Sequence, residues 1–210
     1  QQRVIDEILQ DIQQAIPMQR LVQGDVGSGK TVVAAMAVVA AVSAGYQAVM
    51  MAPTELLAEQ HFQTFNTWLK PLGFNVGWCA GKQTASQRKQ VLTELSSGEI
   101  RVAVGTHALF QDEVTFNNLG LVVIDEQHRF GVHQRLALRD KGKHRDLMPH
   151  QLVMTATPIP RTLAMTAYAD LTVSVIDELP PGRSPVTTVV MPDSRRDDIV
   201  ARVAVAGQEK

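Results

Sequence analysis

Short apolar runs alternate along this chain with segments of helical periodicity. The runs that predict buried strands are residues 20–23, 46–52, 74–79, 100–104, 121–125, 151–155 and 172–176. The segments that predict helices, from apolar spacing or capping residues, are 3–16, 31–44, 54–70, 84–97, 132–141 and 161–168. Strands that alternate with helices predict an α/β fold with a mostly parallel β-sheet and helices on both faces.

A domain boundary is predicted just after the last of these strands. Three prolines and a glycine fall within residues 178–185, which is typical of a linker. We therefore assign residues 1–177 to one domain, and 178–210 to a linker and the start of a second domain. Within the latter, the pattern predicts a strand over 186–191 and a helix over 195–206.

The composition excludes several classes of protein. With 45% hydrophobic and 20% charged residues, the chain can form an ordinary globular core. Cys79 is its only cysteine, which excludes a disulfide framework and favours a reducing, cytoplasmic compartment. No apolar run approaches the ~20 residues that span a bilayer, so we expect no membrane association. The net charge of −1 does not favour a nucleic-acid partner, although a local basic patch remains compatible with it. The chain opens at Gln1 without Met, and we interpret it as a fragment.

A glycine-rich loop between the strand at 20–23 and the helix at 31–44 carries the first chemical motif. It matches the phosphate-binding pattern G-x-x-x-x-G-K-[ST] with Gly24, Asp25, Val26, Gly27, Ser28, Gly29, Lys30 and Thr31. Backbone N–H groups of such a loop surround phosphate oxygens, and the helix N-terminus adds partial positive charge. Lys30 would reach the β- and γ-phosphates of ATP, and the Thr31 hydroxyl would bind Mg²⁺.

Two carboxylates follow the apolar strand at 121–125. Asp125 and Glu126 lie where parallel sheets bind ligands, at the carboxyl ends of strands. Asp125 can bind Mg²⁺ opposite Thr31, and Glu126 can polarise the water that attacks the γ-phosphate. Thr155, Ala156 and Thr157 end another strand at the same edge. The Thr155 and Thr157 hydroxyls can hydrogen-bond to the turn at 125–128 and relay the state of the γ-phosphate.

These motifs, in this order and spacing, resemble the motor core of superfamily 2 helicases and translocases. Segments 52–61, 80–82 and 104–107 agree with that resemblance. It implies a RecA-like P-loop NTPase fold, and it adds Gln127 and His128 to the catalytic box formed with Asp125 and Glu126. It also implies that loops at the sheet edge touch one nucleic-acid strand through Pro53, Thr54, Gly81, Lys82, Thr106 and His107. The six histidines show no metal-ligand spacing, and apart from the candidate DNA contact His107 only His128, inside the acidic box, receives a role.

Residues 125–132 and 155–164 resemble in particular the RecG family of bacterial branched-DNA helicases. The Mfd-like translocases share part of these segments but typically carry Glu where this chain has Gln127. The RecG resemblance implies ATP-driven remodelling of forks, Holliday junctions and R-loops by a bacterial, cytoplasmic and monomeric enzyme. It also implies a preceding wedge domain and a following second RecA-like domain that supplies an arginine finger. We therefore expect the isolated chain to hydrolyse ATP weakly.

Two assignments remain open at this point. The resemblance implies a glutamine that reads adenine just ahead of the first helix, for which Gln1 is the best match and Gln2 the fallback. A small-molecule phosphotransferase or a regulatory module that does not hydrolyse ATP would also carry a phosphate-binding loop. The first would need an acceptor pocket and lid that no segment predicts, and Glu126 argues against the second.

Overall fold

The computed structural model describes residues 1–81, 83–126, 148–157, 171–178 and 188–208. Contacts divide the chain into two units, Gln1–Pro180 and Pro181–Lys210. The predicted helices at 132–141 and 161–168 lie outside the described residues.

The first unit is built on a seven-stranded sheet whose described pairs are all parallel. Its strands are β1 (Gln19–Gly24), β2 (Gln47–Met51), β3 (Val76–Cys79), β4 (Val102–Gly105), β5 (Leu119–Asp125), β6 (His150–Thr155) and β7 (Thr172–Ile176). Their spatial order is β3-β4-β2-β5-β6-β1-β7. The predicted strands are therefore confirmed, with small shifts at their ends, and so is the parallel α/β fold.

Helix α1 (Gln2–Ile12) precedes β1, and three further described helices connect successive strands: α2 (Lys30–Ser43), α3 (Glu55–Leu69) and α4 (Ala85–Ser97). The prediction that the first helix reaches residue 16 is wrong. Residues 13–16 are exposed, and Ile16 keeps 79% of its surface accessible. Its side chain therefore does not extend the apolar stripe of Val4, Ile5 and Ile8, and no buried contact supports a further turn.

The sheet is covered by apolar side chains on both faces. In β5, Leu121 and Val123 belong to one core cluster, while Val122 and Ile124 belong to the other. The first cluster includes the apolar sides of α1, α2 and α3, and the second includes Leu95 of α4. This alternation follows from the two-residue period of a strand, and it confirms the predicted helices on both faces.

Buried polar groups within the sheet layers are hydrogen-bonded. Arg20 of β1 is 7% exposed and donates to the carboxylates of Glu7 and Asp11, which anchors α1 to the sheet. Gln47 of β2 is 1% exposed. Its amide donates to the carbonyls of Leu95 and Ile100 and accepts from the N–H of Asn118.

The only cysteine of the chain is enclosed at the end of β3. Burial raises the pKa of the Cys79 thiol to about 12. The thiol therefore stays protonated at neutral pH, as expected of a core side chain.

In the second unit, a 3₁₀ turn (Asp193–Arg195) leads into α5 (Arg196–Gln208). The predicted helix is confirmed. The predicted strand over 186–191 is wrong for its described part, 188–191, which has no strand geometry. Val190 is 95% exposed, and among the described residues no strand pairs with this segment. None of the helices in the described part of the chain is long and apolar enough to cross a bilayer.

Candidate nucleotide-binding site

All seven strands of the sheet point their carboxyl ends to the same edge, because every described pair is parallel. The phosphate-binding loop follows β1, Asp125 ends β5, and Thr155 ends β6. These three strands are neighbours in the order β5-β6-β1. Residues that are far apart in sequence are thereby brought to one site.

The phosphate-binding loop runs from Gly24 to the first turn of α2. Gly27 and Gly29 have φ angles of 82° and 90°, a left-handed conformation that glycine adopts without steric cost. Lys30 begins α2, and its ammonium folds back to donate to the carbonyl oxygens of Gly24 at 2.7 Å and Asp25 at 2.9 Å. Val26 projects outward at 70% exposure, whereas Ser28 is buried. Thr31 is half-buried on the first turn of α2.

The electrostatic environment of Lys30 reflects its position between the loop and the strand ends. Burial lowers the pKa of Lys30, and the nearby carboxylates of Asp125, Glu126 and Asp25 oppose that shift. The ammonium is thus surrounded by carboxylates and loop carbonyls. Phosphate oxygens are anionic acceptors that would replace the loop carbonyls as its partners.

Gln1 lies directly against this loop. Its side-chain Nε2 donates to the carbonyl of Ser28 at 2.8 Å. A Cβ atom at position 29 would collide with the Gln1 amide, so this close approach requires glycine there. Gln2 points elsewhere, because its amide bonds to Asp6 on the exposed side of α1. Of the two candidate adenine-reading glutamines, the structure places Gln1 against the phosphate-binding loop.

Glu126 is linked to the end of β6. Its carboxylate accepts from the Thr155 hydroxyl at 3.1 Å and from the Ala156 N–H at 3.1 Å, and its own N–H donates to the Met154 carbonyl. Thr157 donates its N–H to the Thr155 hydroxyl. The backbone of Glu126 has φ 49°, which is uncommon for a residue with a Cβ. The Thr-Ala-Thr segment therefore contacts the acidic box through Glu126. The predicted members Gln127 and His128 lie outside the described residues.

One residue of the site was missed by sequence reasoning. His61 of α3 places Nε2 2.8 Å from Asp125 Oδ2, and both side chains are nearly buried. His61 occupies the inward stripe of α3 with Ala58, Phe65 and Leu69. A polar, titratable side chain within an otherwise apolar helical stripe was the signal available in the sequence.

The candidate DNA contacts follow the strands on the other half of the sheet edge. Pro53 and Thr54 follow β2, and Thr54 caps α3 by accepting from the Leu57 N–H. Gly81 lies beside the α3 N-terminus, since a Cβ there would be 3.1 Å from a Glu55 carboxylate oxygen. After β4, Thr106 is 5% exposed, whereas His107 is exposed. The His107 side chain is therefore accessible to a ligand and that of Thr106 is not. Lys82 lies outside the described residues.

The donor set suits Mg²⁺ bound together with a nucleotide. Mg²⁺ prefers oxygen ligands and is usually held by one or two carboxylates plus phosphate oxygens and water. Asp125 supplies a carboxylate at the end of β5, and Thr31 supplies a hydroxyl on the first turn of α2. Thus the residues present fit a nucleotide-bound magnesium ion.

The family model for DEAD/DEAH box helicases matches residues 1–166, which include every motif described above at the β1, β5 and β6 ends. The chain belongs to the DEAD/DEAH box helicase family. The ATP-dependent DNA helicase RecG of Escherichia coli (strain K12) is 63% identical over 203 residues, covering 97% of this chain and 29% of that protein. RecG of Aquifex aeolicus is 54% identical over 97% of this chain and 25% of that protein.

Solved structures agree with the fold of this helicase-family chain. A structure of RecG bound to a three-way DNA junction matches with a TM-score of 0.77 and 44% identity, over 96% of this chain and 26% of that one. The Hef helicase domain of Pyrococcus furiosus matches with a TM-score of 0.62 at 20% identity, over 83% of this chain and 38% of that one, and supports the fold alone. The chain spans about 29% of the length of the E. coli relative. These matches confirm the predicted resemblance to RecG and favour it over the Mfd-like alternative.

Proposed function

We propose that this chain is the ATP-binding motor domain of a DNA helicase that remodels branched DNA, including replication forks, Holliday junctions and R-loops. The observation that carries the proposal is the convergence of Lys30, Asp125 and Glu126 at the ends of neighbouring strands in a chain of the helicase family. The relatives named RecG support the DNA substrate, and the junction-bound RecG structure supports a branched one.

In this proposal, each residue of the site has its own role in ATP hydrolysis. The loop 24–31 and Lys30 bind the phosphates, and Gln1 reads the adenine. Thr31 and Asp125 would hold Mg²⁺, which, when bound, neutralises charge on the β- and γ-phosphates. Glu126 orients and polarises the attacking water. Thr155 and Ala156 hold the Glu126 carboxylate, so a shift of the β6 end would move that carboxylate and alter hydrolysis.

The other half of the sheet edge is the proposed track for DNA. Pro53, Thr54, Gly81, Lys82, Thr106 and His107 follow β2, β3 and β4, which are neighbours in the sheet. One nucleic-acid strand laid across these loops would contact mainly backbone N–H groups and exposed side chains. Thr106 would contribute through its backbone, since its side chain is buried.

The remaining parts of the helicase are proposed to lie in other domains of the same protein. A second RecA-like domain would complete the ATP site with an arginine finger, which is worth ~10³–10⁵ in rate in other phosphate-loop enzymes. Residues 178–210 would form the linker and the start of that domain. A wedge domain would split the branch, and the enzyme would act as a monomer in the bacterial cytoplasm. The isolated chain would then hydrolyse ATP weakly.

ATP hydrolysis by the full-length protein, measured with and without DNA at fixed salt, tests this function. Larger stimulation by forked or four-way DNA than by linear duplex supports the proposal. Equal stimulation by plain duplex would instead indicate an Mfd-like translocase. No stimulation by any DNA would refute the motor function and favour a phosphotransferase. A Lys30→Ala variant controls for contaminating ATPase.

A further inference from the structure

We propose that His61 is a positioning residue that holds the Asp125 carboxylate in the orientation needed to bind nucleotide-associated Mg²⁺. The inference rests on the proposed ATP site and adds a residue from a different helix to it. It is carried by the contact between α3 and the end of β5, and by the place of that contact in the sheet.

The contact engages one oxygen of the carboxylate, Oδ2. His61 Nε2 lies 2.8 Å from Asp125 Oδ2, and the two side chains are 11% and 13% exposed. Because a carboxylate only accepts hydrogen bonds, Nε2 is the donor. Oδ1 makes no hydrogen bond to the described residues and can face an ion or its water. A metal-binding carboxylate fixed in this way by an outer donor is a common arrangement, and losing the donor typically costs about 10–100-fold in metal affinity or activity.

The position of His61 within α3 distinguishes this contact from ordinary packing. Its helical neighbours on the buried side, Ala58 and Phe65, are apolar, so packing alone would be served by another apolar residue. A buried imidazole without a partner would be costly, and here the Asp125 carboxylate is the partner. Among the described residues, Asp125 is the hydrogen-bond partner of this imidazole.

The Lys30 ammonium is an alternative partner for the Asp125 carboxylate and would compete with Mg²⁺ for it. Lys30 is close enough to Asp125 for the carboxylate to oppose the burial-driven fall in the Lys30 pKa. Without His61, the Asp125 side chain would be free to rotate toward the Lys30 ammonium. Both groups would then be less available, Asp125 to Mg²⁺ and Lys30 to phosphate.

The contact also crosses the boundary between the two halves of the sheet edge. α3 begins directly after β2, at the proposed DNA-contacting Thr54, while Asp125 ends the adjacent strand β5. His61 thus joins the helix that starts at the proposed DNA track to the proposed magnesium ligand.

The test uses the full-length protein and a fluorescent, non-hydrolysable ATP analogue, titrated in EDTA and in Mg²⁺. For the wild type, Mg²⁺ should tighten binding. His61→Leu should lose about 10–100-fold of that tightening, with little change of affinity in EDTA. His61→Gln, which retains an N–H donor, should keep most of it. Phe65→Leu is the matched control for altered packing of α3 and should behave as wild type, and thermal melting verifies that each variant is folded.

Several outcomes would overturn the proposal. Retention of the full Mg²⁺-dependent gain by His61→Leu would overturn it. Equal loss of affinity in EDTA and in Mg²⁺ would overturn it too, because that result indicates general damage to the site. Equal loss in His61→Gln and His61→Leu would show that the donor is not what matters. His61→Met is the second donor-free variant if His61→Leu does not fold. Absence of nucleotide binding by the wild type would refute the proposed function itself. The wild-type titration shows this outcome without reference to the His61 variants.

Discussion

Replacing the Glu126 carboxylate by an amide should separate nucleotide binding from hydrolysis. In Glu126→Gln, the amide oxygen can accept from the Ala156 N–H while the amide nitrogen donates to the Thr155 hydroxyl, so both contacts of the carboxylate have a counterpart. The swap preserves shape, and we expect the free energy of unfolding to change by less than about 1 kcal/mol. What is lost is the negative charge that we propose polarises the attacking water.

The loss of that charge sets the expected size of the effect. General-base assistance is typically worth about 10²–10⁴ in rate, which corresponds to about 3–5 kcal/mol of transition-state stabilisation. We therefore expect Glu126→Gln to bind ATP with nearly wild-type affinity and to hydrolyse it about 10²–10⁴ times more slowly.

The assay is single-turnover phosphate release by the full-length protein with forked DNA, combined with titration of a fluorescent nucleotide. Glu99→Gln provides the matched control, because it removes one exposed carboxylate next to β4, at the opposite end from the site. A Glu126→Gln rate within about threefold of wild type would refute the assignment of Glu126 as the group that activates water. If Glu126→Gln lost nucleotide affinity by as large a factor as hydrolysis rate, the carboxylate would serve nucleotide binding instead.

Three further predictions follow from contacts in the described residues. Lys30→Ala should weaken nucleotide binding by about 10–100-fold, the value of a hydrogen bond to a charged group, as measured by the same titration; unchanged affinity would contradict the role of the loop. Arg20→Met should lower the free energy of unfolding by about 2–3 kcal/mol in urea, below the usual cost of a broken buried pair because its carboxylate partners are 32% exposed. Arg3→Met, which removes a side chain that is 57% exposed, should lower the free energy of unfolding by less than about 1 kcal/mol. Equal effects of the two substitutions would refute the anchoring role of Arg20. The Cys79 thiol ionises near pH 9.0 when unfolded but near 12 when folded, so the unfolding free energy should fall as pH rises through that window. Cys79→Ala should remove this part of the pH dependence in urea titrations, and an unchanged profile would contradict burial of the thiol.

The fold and the centre of the site could be predicted because they depend on local patterns. The apolar runs define the strands, and the motif at 24–31 fixes the strand–loop–helix unit that carries Lys30. Asp125 was placed correctly at the sheet edge because parallel strands end together. These features need no knowledge of which side chains meet across the fold.

The features that were missed depend on contacts between distant parts of the chain. His61 lies 64 positions from Asp125, and helical spacing assigns it only to the inward side of α3. The sequence could place the Thr-Ala-Thr segment near the acidic box but not single out the Glu126 carboxylate as its partner. Apolar residues also misled the prediction where no described residue covers them, as at Ile16 and over 188–191.

The boundary between β2 and β5 separates the strands that carry the nucleotide loops from those that carry the proposed DNA loops, and it is fastened at both ends. At one end, Gln47 bridges to Leu95, Ile100 and Asn118, and at the other His61 reaches Asp125. Sliding of β2 past β5 would break the buried polar contacts at one end of this boundary or the other. We therefore expect the sheet to move as one rigid unit, so that in the proposed motor any displacement along DNA would come from motion of this whole domain relative to the proposed second RecA-like domain, and not from sliding of strands within the sheet.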